Sequence, residues 1–147
     1  MASLIPKSVK QAIVNKWTDA NEEWWLMLMK TTFVPSADHV NLSNVDPSTY
    51  EITDDKGVYQ AGGIKLPPGR VVTQQGSQNA YYLAATNVSI GPGADLNFGY
   101  GVLYSKTGGT GQATYPIRAE IDFGGAQIVT NGTSTIIWNA LGIILVS

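Results

Sequence analysis

Apolar positions in this chain follow a short helical rhythm at the start and β-type rhythms afterwards. Between Ser8 and Trp17, Val9, Ala12, Ile13 and Lys16 or Trp17 recur three and four apart, with Lys7, Lys10, Gln11 and Asn15 elsewhere, which predicts a short amphipathic helix. Pro6 suits its first turn, where a missing N–H costs little. Asp19-Ala-Asn-Glu22 reads as a turn into Trp24–Lys30. That run is apolar at successive positions, the pattern of a short central strand covered on both faces, although a buried helix fits the same residues.

From Pro35 to Asp55 the rhythm breaks. Ser36, Asp38, Asn41, Ser43, Asn44, Asp46 and Pro47 supply turn and capping groups around one short helix expected near Asp38–Val45. Gly62-Gly63 and Pro67-Pro68-Gly69 punctuate the next stretch. Short β signals follow: Val71–Thr73, Tyr81–Ala85, Asn87–Ile90, Phe98–Tyr104 and Gly142–Val146, with Gly91-Pro-Gly93 and Lys106–Gly111 as expected loops. In Ile117–Phe123 the apolar Ile117, Ala119, Ile121 and Phe123 alternate with Arg118, Glu120 and Asp122. Asn131-Gly132, two residues that tolerate positive φ, predicts a hairpin joining Gln127–Thr130 to Thr133–Trp138. Strands spaced roughly 8–12 residues apart predict a mainly β protein, a single-domain, jelly-roll-like β-sandwich over residues 21–147. Residues 1–20 form a preceding segment carrying the short helix. No repeat or low-complexity linker argues for a second domain.

Composition narrows the function. The 147 residues are 44% hydrophobic and 14% charged, against about 25% charged in an average globular protein. The surface is therefore unusually neutral or largely covered by neighbours. Nine Lys and Arg face eleven Asp and Glu with no basic run, so the electrostatic part of phosphate binding is missing and nucleic acid is not an expected partner. With no cysteine and one histidine, His39, disulfides, thiolate catalysis and sites needing two imidazoles are excluded. Met1–Lys16 has no apolar stretch of signal-peptide length, and no run approaches the ~20 residues of a membrane helix. Asn41, Asn87 and Asn131 fit the N-glycosylation pattern, but without an export signal they read as polar turn residues. Synthesis in the cytoplasm is expected.

No constellation of catalytic groups emerges. His39 beside Asp38 lacks a traceable orienting partner and pocket, and reads as a surface loop histidine. Asp54-Asp55 lacks the spaced oxygen ligands of a calcium loop and more simply opens a turn toward Gly57. Glu120 and Asp122 share a strand face, as glycosidase carboxylates would, yet Arg118 on that face favours a solvated ladder of alternating charge. Gly108-Gly109-Thr110-Gly111 lacks the Lys and Ser/Thr of a phosphate loop. Trp24 and Trp25 are adjacent, so on a strand they face opposite ways. They cannot form one sugar platform, and Trp17, Trp25 and Trp138 read as core or interface anchors. The expectation is no enzyme, no cofactor and no metal.

The order of segments then becomes informative. Gly57-Val-Tyr-Gln-Ala-Gly-Gly63, Tyr100-Gly-Val-Leu-Tyr104, Ile121-Asp-Phe-Gly124 and Asn131-Gly-Thr-Ser-Thr-Ile-Ile-Trp-Asn-Ala-Leu-Gly-Ile143 follow one another. This order resembles a family of small structural proteins of tailed bacteriophages, whose early portion is also similar, down to a polar loop here written Ala37-Asp-His39. Pro67-Pro68 and Gly91-Pro-Gly93 depart from the family pattern. The resemblance implies a virion structural protein, in some members a capsid decoration (cement) protein on the outer surface of the shell. Its expected partners are the major capsid protein and copies of itself, a trimer on lattice symmetry. Leu4, Ile5, Val9, Ile13 and Trp17, in the amphipathic start, are the expected capsid or subunit contacts. The alternative is a tail- or fibre-associated domain that binds a host surface glycan.

Overall fold

The structure is a computed structural model that describes residues 21–67, 71–74, 81–84, 86–106, 110–138 and 144–146. The expected N-terminal helix and all five expected contacts, Leu4, Ile5, Val9, Ile13 and Trp17, lie outside the described residues. The described part is mainly β and gathers into two compact units.

The larger unit spans Glu23–Leu66 and Val88–Ile136. It holds strands β1 (Trp24–Met29), β2 (Ile64–Lys65), β5 (Val88–Ser105) and β6 (Ile117–Ile136) in an antiparallel sheet of order β2-β1-β5-β6. The smaller unit contains β3 (Val71–Gln74), β4 (Tyr81–Ala84) and β7 (Ile144–Val146), antiparallel in the order β3-β4-β7. In that unit the Trp138 indole N–H donates to the Thr86 carbonyl (3.0 Å), and Asn87 Oδ1 accepts the Trp138 backbone N–H (3.3 Å).

Strand β1 is central, as its continuous apolar run predicts. Trp24, Leu26 and Leu28 on one face and Met27 and Met29 on the other are all buried. Met27 and Met29 pack with Val102 and Tyr104 of β5 under Phe33, Leu42 and Val45. Phe33 meets Tyr50 and Tyr100 edge-on, a favoured aromatic arrangement. Trp25, beside the buried Trp24, is only part-covered, with the Lys106 ammonium 3.6 Å from its ring centroid.

The turn-rich stretch before Asp55 forms a 3-10 turn, Leu42–Val45, and a one-turn helix α1, Pro47–Tyr50. Asn44 Oδ1 accepts the backbone N–H groups of Val40 and Asn41 (both 3.0 Å). Proline stands at the first helical position of α1, where its missing donor is harmless.

Two expected turns are not turns. Asn131-Gly132 makes no hairpin. Gln127, Ile128 and Val129 pair with Phe98, Asn97 and Leu96, while Ser134, Thr135 and Ile136 pair with Ile90, Ser89 and Val88. Both flanks therefore lie along β5, and Asn131, at φ 46°, makes a bulge within β6. Its N–H is taken by Asp95 Oδ1 at 2.6 Å. Gly91-Pro-Gly93 is likewise a distortion inside β5, which joins the separately expected Asn87–Ile90 and Phe98–Tyr104 into one strand. A second break in register falls at Gly124 and Gly125, both at positive φ, opposite Gly99. The result is a pairing of strands of 18 and 20 residues in which β6 forms the sheet's edge.

Candidate functional site

Three places on the larger unit bring polar groups together. The first is the loop between α1 and β2. Asp54 accepts the backbone N–H groups of Lys56, Val58 and Tyr59 (2.8–2.9 Å) and, across to β5, that of Asp95 (3.2 Å). The expected turn toward Gly57 is present, closed by the Gly57 N–H on the Asp54 carbonyl. Tyr59 is buried, and its hydroxyl donates to Glu51 Oε1 (2.8 Å) while accepting the Leu28 N–H (2.9 Å). Glu51 Oε1 also accepts the Gly62 N–H (2.8 Å), and the Tyr104 hydroxyl donates to the Gly62 carbonyl. The glycine-tyrosine segment thus fastens a loop onto β1.

Burial pushes the Glu51 carboxyl above its ordinary value of 4.5, against the bonds from Tyr59 and Gly62 that lower it. Burial likewise raises both Tyr59 and Tyr104, with the Glu51 charge adding to each. A carboxyl whose folded-state pKa is raised binds its proton more tightly when folded. Its stabilising contribution is full below pH 4.5 and is lost as pH rises through the folded value. Glu51→Gln keeps an acceptor for Tyr59 and Gly62 without the buried charge. The variant should match or exceed the parent's melting temperature at pH 7, with the difference moving against it below pH 4.5. Thermal melts at both pH values check this.

The second place is a recess of ≈ 410 Å³ lined by Pro35, Ser36, Ala37, His39, Ile117, Arg118 and Glu120. His39 pairs not with its neighbour Asp38 but with Glu120, Nδ1 to Oε1 at 2.5 Å, and Glu120 Oε2 accepts the Ser36 N–H (2.8 Å). The Glu120 side chain is 11% exposed, so the expected solvated charge ladder with Arg118 and Asp122 is corrected. His39 does lie in a loop, but its side chain is only 20% exposed, and it has the partner and the recess that could not be traced in the sequence. The pair belongs to a wider seam that includes Ile117 N–H to the Val40 carbonyl (3.0 Å) and Leu42 N–H to the Tyr115 carbonyl (2.9 Å). Its evident work is to hold residues 36–42 against the start of β6. A carboxylate on Nδ1 also fixes the imidazole, the arrangement of a general base. The Ser36 hydroxyl lines the same recess and accepts the Asp38 N–H (3.1 Å).

The third place is an open cleft of ≈ 630 Å³ beside the β5–β6 pair, lined by Lys30, Thr31, Thr32, Ile52, Thr53, Asp95, Leu96, Asn97, Ile128, Val129 and Thr130. Four threonine hydroxyls and the Asn97 amide share it with the aliphatic Ile52, Leu96, Ile128 and Val129 and the charged Lys30 and Asp95, and no aromatic ring is among them. Along the same wall, residues 124–128, 130 and 131 of β6 are exposed, Ile128 to 68%. No charged residue follows Asp122 in the chain. Natural edge strands are usually guarded by charge, proline or cover, and here charge is missing.

Among the described residues, no group of three or more His, Cys, Asp or Glu could hold a metal ion, and no helix is long and apolar enough to cross a membrane. Sequence reasoning missed Glu51, Asp95 and the part played by Glu120, each of which finds its partner through the fold. No protein-family model, no curated protein and no solved structure matches the chain.

Proposed function

We propose that this chain is a virion structural protein of a tailed bacteriophage, a capsid decoration protein that stabilises the shell by bridging capsid subunits on its outer surface. The observation that carries the reading is the exposed, uncharged second half of β6 on the sheet edge. A neutral face can be covered by a neighbour without the penalty of desolvating unpaired charge. The segment order from Gly57 onward supports the same reading, as does the role of Gly57–Gly63 in bracing β1. The sandwich architecture expected from the strand spacing belongs to this proposal; the antiparallel pairing of all the described strands agrees with it.

Each copy would add contacts that the bare shell lacks. Single contacts can be weak, because an oligomer gripping several capsid subunits gains through effective concentration. A glycan-binding role at a tail or fibre has less support, since the 630 Å³ cleft offers no aromatic platform. The test is electron microscopy of purified particles with and without the protein. Regular density over the shell, and earlier heat disruption of particles that lack it, are the expected results. A protein absent from particles, or confined to the tail, would overturn the proposal.

A further inference from the structure

From the bulge in β6 we infer that the chain modifies itself: the Asn131 side chain deamidates through a cyclic imide formed with the backbone nitrogen of Gly132. The reaction needs no shell or partner and goes beyond the decoration reading. Of the chain's asparagines, Asn131 alone precedes a glycine. Ring closure needs the following nitrogen to reach the side-chain carbonyl carbon, and glycine, having no Cβ, hinders that approach least. Asn97, also exposed, is followed by the bulky Phe98, and the exposed Asn87 by the β-branched Val88.

The fold leaves this carboxamide open to attack. Asn131 is exposed, at φ 46°. Its backbone N–H is tied to Asp95 Oδ1 (2.6 Å), while its carboxamide makes no hydrogen bond among the described residues. Other asparagine side chains are held in place. Asn44 Oδ1 accepts the N–H groups of Val40 and Asn41 (both 3.0 Å), Asn41 Oδ1 accepts the Ser43 hydroxyl (2.6 Å), and Asn87 Oδ1 accepts the Trp138 N–H (3.3 Å). Even a methyl group on Gly93 would lie 3.9 Å from Asn131 Oδ1, so the space on that side is open.

Water is the one co-reactant. The Gly132 nitrogen, giving its proton to hydroxide, bonds to Cγ of Asn131, and the Cγ–Nδ2 bond breaks with release of ammonia. Water then opens the imide at either carbonyl. Opening at the backbone carbonyl leaves the chain running through Cγ, an isoaspartyl linkage, and opening at Cγ gives an ordinary aspartyl residue. Either product places a carboxylate in a stretch, Phe123–Ser147, that has no charged side chain. It falls on the residue whose N–H Asp95 already holds, and like charges so close disfavour each other. The isoaspartyl form also lengthens the backbone beside Gly132, whose carbonyl oxygen lies 2.6 Å from the place a Cβ on Gly91 would take, so the closely nested strands must shift.

Incubation of the purified full chain at about pH 8, followed by mass measurement, peptide mapping and enzymatic methylation of isoaspartyl carboxylates, tests this. The expected result is a gain of about 1 Da located at residue 131, with aspartyl and isoaspartyl peptides both present. Gly132→Ala should slow the gain at least about tenfold, because a Cβ now hinders ring closure. That methyl group would meet Val129 Cγ1 at 3.3 Å and the Thr130 carbonyl oxygen at 3.6 Å, a fit the parent fold should accept. Asn131→Gln, a second variant, should likewise keep its mass, since its longer side chain closes the ring poorly. Aged parent protein should exchange its amides faster than fresh protein at residues 93–97 and 129–133. A parent that keeps the Asn131 amide over the time in which a free peptide of residues 126–136 loses half of its own overturns the inference. A gain located at another asparagine, or one that Gly132→Ala leaves equally fast, overturns it too.

Discussion

Gly63→Ala should prevent the larger unit from folding stably. Gly63 follows the turn that leads into β2, at φ 92°, and is buried. A Cβ there would sit 2.1 Å from the Leu26 carbonyl oxygen and 2.7 Å from its carbon, inside the backbone of the central strand. No side-chain rotation relieves a backbone clash, so either β1 moves or the loop lifts. Lifting the loop would also disturb the Glu51 bond to Gly62 and the Tyr104 bond to its carbonyl. The combined loss should exceed about 4 kcal/mol, the exceptional end for single substitutions. For a chain of this size that corresponds to a fall of more than about 10 °C in melting temperature. The informative control is Gly57→Ala, six residues earlier at φ 72°, where an added Cβ meets nothing within 4 Å. Its loss should stay near 1–2 kcal/mol, the conformational penalty alone. Similar melting temperatures for the two variants would show that the close approach to β1 is not decisive.

Gly91→Ala is the second large effect, and it acts on the long strand pair. At φ 134° its Cβ would lie 2.6 Å from the Gly132 carbonyl oxygen and 2.7 Å from Thr133 Cα. The distortion in β5 therefore nests against the bulge in β6, and a methyl group would force the strands apart where Ile90 and Ala94 change register. Both neighbours are buried, so separation would expose apolar surface as well as break ladder bonds. A loss of about 3–4 kcal/mol is expected, with faster amide exchange across residues 129–136. Gly93→Ala supplies the comparison. Its nearest neighbour would be Asn131 Oδ1 at 3.9 Å, so only the positive φ of 85° opposes the methyl group, and about 1–2 kcal/mol should go. Equal losses in the two variants would mean that the nesting contributes little.

These two glycines mark where the chain was legible and where it was not. The unbroken apolar run of β1 named a strand covered on both faces, and β1 is that strand. Val71, Tyr81 and Val146 bound strands at the ends expected of them, because runs of β-branched and aromatic residues flanked by turn formers are a local signal. Asn131-Gly132 and Gly91-Pro-Gly93 misled for a physical reason. A positive φ serves a hairpin and a bulge equally well, and only the partner strand decides between them. Ile64–Lys65 is too short to leave a period of its own, so β2 had no signature. The charge pattern of Arg118, Glu120 and Asp122 suggested a wet face. Glu120 instead turns to Ser36 and His39, 84 and 81 residues away, which no spacing rule reaches. Tyr59 stood inside a noticed motif, but its bond to Glu51 depends on the path taken by the loop.

Asp54 joins places that are far apart in sequence. Its carboxylate gathers the amides of Lys56, Val58, Tyr59 and Asp95, and Asp95 in turn holds Asn131. These amides, with Tyr59 foremost, hold the Asp54 carboxyl below its ordinary value of 3.8. A depressed carboxyl lends its support above the unfolded value and withdraws it as pH falls through the folded one. A proton on Oδ1 would compete with the amides of Lys56 and Asp95, loosening the tie to β5, and one on Oδ2 with those of Val58 and Tyr59, easing the grip of the Tyr59 loop. Acid that reaches this carboxyl therefore slackens either the brace on β1 or the tie to β5, according to the oxygen it protonates.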